Sequence, residues 1–167
     1  MKRLLLLDAD VVIDLHSLGL FEKICRAYDV YVTQEVYEEA TYFKKGGSKN
    51  PINIADKVTV IKNVDLEGLE KVEKAAKEAR LVIDPGESTS IAYINQSEGE
   101  IIFCSCDKAA IKLISYMELE QKSISLERAL RDIGYHKRNL YPRHYEKTFK
   151  ICINEGKALR IQFKKLV

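Results

Sequence analysis

The apolar residues of this chain fall into two kinds of pattern. One is the short unbroken run: Leu4-Leu5-Leu6-Leu7 near the start and Ile101-Ile102-Phe103-Cys104 later on. Such runs suit strands buried on both faces, as in the middle of a parallel sheet. The other is helical spacing. Val12, Leu15, Leu18 and Ile24 follow the first run, with Gly19 as a break. Leu66, Leu69, Val72, Ala76 and Ala79 recur among charges up to Arg80. Val30-Tyr31-Val32, Lys57 to Ile61 and a stretch near Ser123-Ile124 read as further strands.

Start and stop signals set the remaining elements. Thr33 can cap a helix from Gln34 to about Phe43, and Asp84-Pro85-Gly86-Glu87 carries the residues of a capping box that opens a helix to about Asn95. Lys108 to Met117 and Ser125 to Ile133 are expected to be helical. Lys44 to Pro51, with Gly46-Gly47 inside it, reads as a flexible loop. Pro142 suits the start of a last helix, with Tyr145, Phe149 and Cys152 on one face and Gly156 as its stop. Beyond it, Leu159-Arg160-Ile161-Gln162-Phe163 alternates with the period of a half-exposed strand. Strands alternating with helices predict an α/β fold on a central, mostly parallel sheet with right-handed crossovers.

At 167 residues one core is the default. The apolar run after Lys2-Arg3 is too short for a signal peptide, and no segment approaches a membrane span. Cys25, Cys104, Cys106 and Cys152 show neither CxxC nor zinc-type spacing, so the expectation is a reduced, cytoplasmic protein with no membrane partner. The net charge of +2 hides an asymmetry. Residues 134–167 carry nine Lys/Arg against two Asp/Glu, a net of +7, and the preceding 133 residues carry −5. A basic tail on an acidic body points to a polyanionic partner, or to charges that neutralise the body itself.

The first apolar run ends in Asp8-Ala9-Asp10. Ligands of open α/β sheets bind beyond the carboxyl ends of the strands, which is where Asp8 would stand. Three more acids follow or open elements of the same expected edge. Glu39 lies in the helix after the second strand, Glu87 opens a helix, and Asp107 follows the second buried run. Carboxylates gathered this way repel one another without cations, and hard ions such as Mg²⁺ and Mn²⁺ prefer oxygen ligands. Each acid also has a plain structural use: Asp8 and Asp107 as helix caps, Glu87 as the third residue of a capping box, and Glu39 as part of a solvated face with Glu35 and Glu38.

The apolar strand ending in Asp8, the Val36-x-x-Glu39 element, the Gly86-Glu87 helix start and the Ser105-x-Asp107 ending resemble, in that order, a PIN domain over about residues 2–133. The resemblance implies a three-layer α/β/α fold and a Mg²⁺- or Mn²⁺-dependent ribonuclease site. Asp8, Glu39, Glu87 and Asp107 match the family's acidic quartet, and Ser105 its small hydroxyl residue. Asp10 stands where the family often has Asn, Ser or Thr, as a further ligand or a substitute. Many members are toxins of toxin–antitoxin pairs, which would make RNA the substrate and an antitoxin protein a partner, with a homodimer as one form of the chain.

Residues 134–167 extend beyond that match. Lys137, Arg138, Arg143 and Lys147 of this extension, with Lys44, Lys45 and Lys49 of the loop after Glu39, are the candidate RNA-phosphate contacts. Two other readings stand beside this one. A haloacid-dehalogenase-type phosphatase would use Asp8 as nucleophile and Asp10 as acid, but the expected Gly after Asp10 and a late Gly-Asp-rich acidic motif are missing. A non-catalytic RNA-binding module would keep the fold without productive metal binding.

Overall fold

The computed structural model describes residues 1–136 and 139–164. Five parallel strands form one sheet: β1 (Arg3–Leu7), β2 (Tyr28–Thr33), β5 (Thr59–Ile61), β6 (Ile102–Cys104) and β7 (Ser123–Ile124), in the order β5-β2-β1-β6-β7. The leucine run is the central strand. Its side chains alternate across the sheet, so Leu5 and Leu7 enter one core and Leu6 the other. The first core is completed by α1 (Ala9–Ser17), α2 (Phe21–Ala27), α3 (Gln34–Glu39) and α7 (Leu126–Asp132). The second is closed by α4 (Leu66–Ala79), α5 (Pro85–Gln96) and α6 (Lys108–Tyr116). The fold is thus a three-layer α/β/α sandwich: the parallel sheet is what the patterns predict, and the three layers are what the resemblance implies.

Three expectations fail. The helix after β2 stops at Glu39, not near Phe43, and Lys44 to Pro51 is not a loop. It is most of a β-hairpin, β3 (Tyr42–Lys45) against β4 (Ser48–Pro51), with Lys44 opposite Lys49. Gly46 and Gly47 have φ of +59° and +80°, the two positive values that a tight two-residue hairpin turn demands. Glycine-rich composition therefore marked a turn within a pair of strands.

The third concerns the tail. A single helix, α8 (Glu146–Lys164), runs through Gly156 and through the supposed strand at Leu159 to Phe163. Gly156 is no stop: a Cβ there would lie 2.3 Å from the Lys112 carbonyl oxygen and 2.7 Å from Ser115 Cβ. The glycine allows α8 to approach α6 closely. Leu159 and Phe163, four residues apart, then reach the second core on one helical face. Phe149, Cys152 and Ile153 pack with Ile111 of α6. Leu140 and Tyr145 join the first core, so the extension is folded onto the sandwich.

Part of the tail's charge is spent on the body. Lys157 lies 3.9 Å from Glu120, and Arg160 lies 3.5 Å from Glu118. Among the described residues no helix is long and apolar enough to cross a membrane.

Candidate metal centre

The sheet order reverses direction between β1 and β6, because the chain leaves β1 for β2 on one side and reaches β6 on the other. A crevice at such a switch point is where ligands of parallel sheets sit. Asp8 follows β1 on one side of it, and Ser105 to Asp107 follow β6 on the other.

Asp8 is buried and held from two directions. One carboxylate oxygen accepts the Ala9 N–H at 2.9 Å as the N-cap of α1, and the other accepts the Ser105 hydroxyl at 2.9 Å. Ser105 Oγ in turn accepts the Asp107 N–H at 3.1 Å, which fixes the turn after β6. Asp107 caps α6 through the Ala110 N–H. Glu87 is buried and completes a capping box with Asp84: Glu87 N–H donates to Asp84, and Asp84 N–H donates to Glu87 Oε2 at 2.9 Å. Every structural role foreseen for Asp8, Glu87 and Asp107 is therefore real.

Capping does not account for their electrostatics. Burial pushes the Asp8 carboxyl up to about 7, against its hydrogen bonds with Ser105 and Ala9, and the charges of Asp84 and Asp10 push the same way. Burial raises Glu87 to about 8, partly offset by the Asp84 backbone hydrogen bond, with Asp8, Asp107 and Asp84 adding to it. Glu39 is raised by desolvation, then by Asp84 and Asp10. The charges that act on these three acids belong to other carboxylates. The sheet edge thus carries the predicted Asp8, Asp10, Glu39, Glu87 and Asp107 near enough to influence one another, and adds Asp84, which had been assigned only a capping role; among the described residues no three of these acids bring their oxygens within 4.8 Å of one another. The place of Asp84 one turn before Glu87 in a capping box was the available signal, since a box with two acids puts two carboxylates at one helix start.

Oxygen donors of this kind fit a hard divalent cation that keeps part of its water shell. The fit is supported by mutual repulsion within the set, which a cation would relieve. A tighter group lies beside it. Ligand-type atoms of Asp14, Cys106 and His144, all buried, come within 4.8 Å of one another. Their geometry suits a polar lock better than a metal: Asp14 Oδ2 already accepts Arg143 Nε at 2.9 Å and Nη2 at 2.6 Å, and lies 2.6 Å from His144 Nε2. The Cys106 thiol is pushed up by burial, away from the thiolate that binds metal.

The remaining sequence candidates separate. Lys44, Lys45, Lys49 and Lys147 are exposed. Arg143, a candidate RNA contact near the start of the last helix, instead lies in a short 3-10 turn, Pro142–His144, where His144 is buried and Arg143 bends back to Asp14, with Nη1 3.6 Å from Asp10. Lys137 and Arg138 lie outside the described residues. The lock on Asp14 was not foreseen. An acid beside Val11, Val12 and Leu15 on a buried helix face was a signal of a buried partner, but nothing nearby in sequence named it.

Neither a family model, nor a curated protein, nor a solved structure matches this chain. Its function must be argued from the site.

Proposed function

We propose that this chain is a divalent-metal-dependent ribonuclease of the PIN type, hydrolysing RNA phosphodiester bonds at the carboxylate edge beyond β1 and β6. One observation carries the reading: Asp8, Glu39 and Glu87 are raised first by burial and then by other carboxylates of the same edge, at a topological switch point. Acids that serve only as caps gain nothing from being collected there.

A bound Mg²⁺ or Mn²⁺ would supply an acidified water and positive charge for the phosphate oxygens. Asp8 and Asp107 are the principal oxygen donors in this reading, with Glu39, Glu87 and Asp84 completing the shell directly or through water. Ser105 orients Asp8 by its hydroxyl and the Asp107 turn by accepting that residue's N–H. Asp10 sets the outer rim, where Arg143 stands 3.6 Å away. The exposed lysines of the hairpin and of α8 are the candidate partners of RNA phosphates in this reading. An antitoxin protein, where one exists, would act by covering this edge.

The test is cleavage of unstructured RNA by the full chain with Mn²⁺ or with a chelator. Cleavage that needs Mn²⁺ and is lost in folded Asp8→Asn and Asp107→Asn supports the assignment. Full activity in folded Asp8→Asn protein would remove it.

A further inference from the structure

Beside the carboxylate edge lies a cleft of about 460 Å³ that the metal reading does not use. Its walls come from three parts of the chain. The β3–β4 hairpin contributes Tyr42, Phe43 and Lys44, α1 contributes Ile13 and Ser17, and the extension contributes Tyr141. Asp14 and Glu39 also line it. Glu39 belongs to the carboxylate set, so the cleft and that set share a wall.

Two features mark the cleft as a place for a flat, unpaired ring. Tyr42 and Tyr141 remain 42% and 40% exposed, an unusual cost for two large aromatic side chains lining one depression. Both are nonetheless held in place. Lys49 Nζ stands 4.2 Å over the Tyr42 ring, and the Tyr141 hydroxyl lies 3.1 Å from Ser17 Oγ. Behind them, Phe43 is tied to the helix by its contact with His16, whose ring lies 5.7 Å away. Lys44 on the cleft wall and Lys45 and Lys49 on the same hairpin bring positive charge to a mouth otherwise edged by acids.

We propose that this cleft is a stacking site for an unpaired base of the RNA, next to the phosphodiester presented at the carboxylates. The inference rests on the ribonuclease reading and deepens it. Aromatic faces hold single-stranded bases with little regard to sequence, while nearby cations hold the backbone. A paired base keeps its faces within the duplex and cannot enter. The hairpin and the extension thereby select single-stranded substrate, a role for both that lies outside the sandwich itself.

The experiment is equilibrium binding of a short ribo-oligonucleotide carrying a fluorescent purine analogue to the full chain, metal-free and with Ca²⁺. Wild type should bind and quench the analogue, and a duplex of the same sequence should bind poorly. Tyr42→Leu and Tyr141→Leu should each weaken binding about tenfold and relieve the quenching. Tyr42→Phe should behave as wild type, because it keeps the ring, and Tyr141→Phe should keep the quenching and lose less affinity than Tyr141→Leu, because it gives up only the bond to Ser17. An oligonucleotide abasic at the analogue's position should bind wild type as weakly as the Leu variants bind the intact strand. Unchanged affinity in both folded Leu variants, or equal affinity for the duplex, overturns the stacking site and leaves RNA cleavage standing. No binding of any oligonucleotide by a wild-type chain that still binds Mn²⁺ overturns the RNA reading itself, and the stacking site with it.

Discussion

Ser105 Oγ donates to Asp8 Oδ2 at 2.9 Å, joining the end of the central strand to the turn after β6 across the crevice between them. This hydrogen bond lowers the Asp8 pKa against the rise caused by burial. Ser105→Ala should therefore leave Asp8 more protonated near neutrality and release the Asp107 N–H. Stability should fall by about 1 kcal/mol. The larger effect should be on Mn²⁺, with weaker binding and a midpoint moved to higher pH, read by titration across a pH series.

The raised acids make the metal-free protein sensitive to alkali. A carboxyl whose folded pKa lies above its unfolded value binds more protons folded than unfolded, so stability is greatest below the unfolded pKa and is lost as pH rises through the folded value. For Asp8 that window runs from about 3.8 to about 7, and for Glu87 from about 4.5 to about 8. The melting temperature of chelated protein should thus fall across this range, apart from general acid effects. Mn²⁺ should restore it, and its stabilising shift should grow with pH. A melting temperature that climbs steadily to pH 8 without metal would contradict the burial of these acids.

Glu87 has two jobs that one substitution separates. Gln at this position can still accept the Asp84 N–H and keep the capping box. Glu87→Gln should keep or slightly raise metal-free stability while weakening Mn²⁺ binding and cleavage. Retention of both activities would reduce Glu87 to a cap.

The close approach of α8 to α6 has its own signature. Gly156→Ala places a methyl group against the Lys112 carbonyl and Ser115, and overpacking of this kind costs about 1–3 kcal/mol. Alanine favours an isolated helix over glycine, so a loss of stability on thermal melting would reveal the contact, and a gain would deny it.

The legible parts of this fold were those whose signals are local. The leucine run, the Thr33 cap and the Asp84 to Glu87 box each declare an element within a few residues, and all three are present. The illegible parts depend on distant partners. Gly156 looks like a helix stop until α6 lies against it, and Leu159 to Phe163 alternates by accident within a longer helical face. The site divides in the same way. Asp8 and Asp107 follow apolar strands and could be picked out, whereas the Asp14 lock needs Arg143 and His144, which lie 129 and 130 residues away in the chain.

The central claim is that the acids of the sheet edge hold a divalent cation, and calorimetric titration of Mn²⁺ into metal-free protein at neutral pH tests it most directly. Asp8 and Glu87 are partly protonated there, so binding should release protons and the heat should vary with the ionisation enthalpy of the buffer. Folded Asp8→Asn should show little binding and little proton release. Equal Mn²⁺ affinity in wild type and folded Asp8→Asn, or no binding by wild type, would contradict the account.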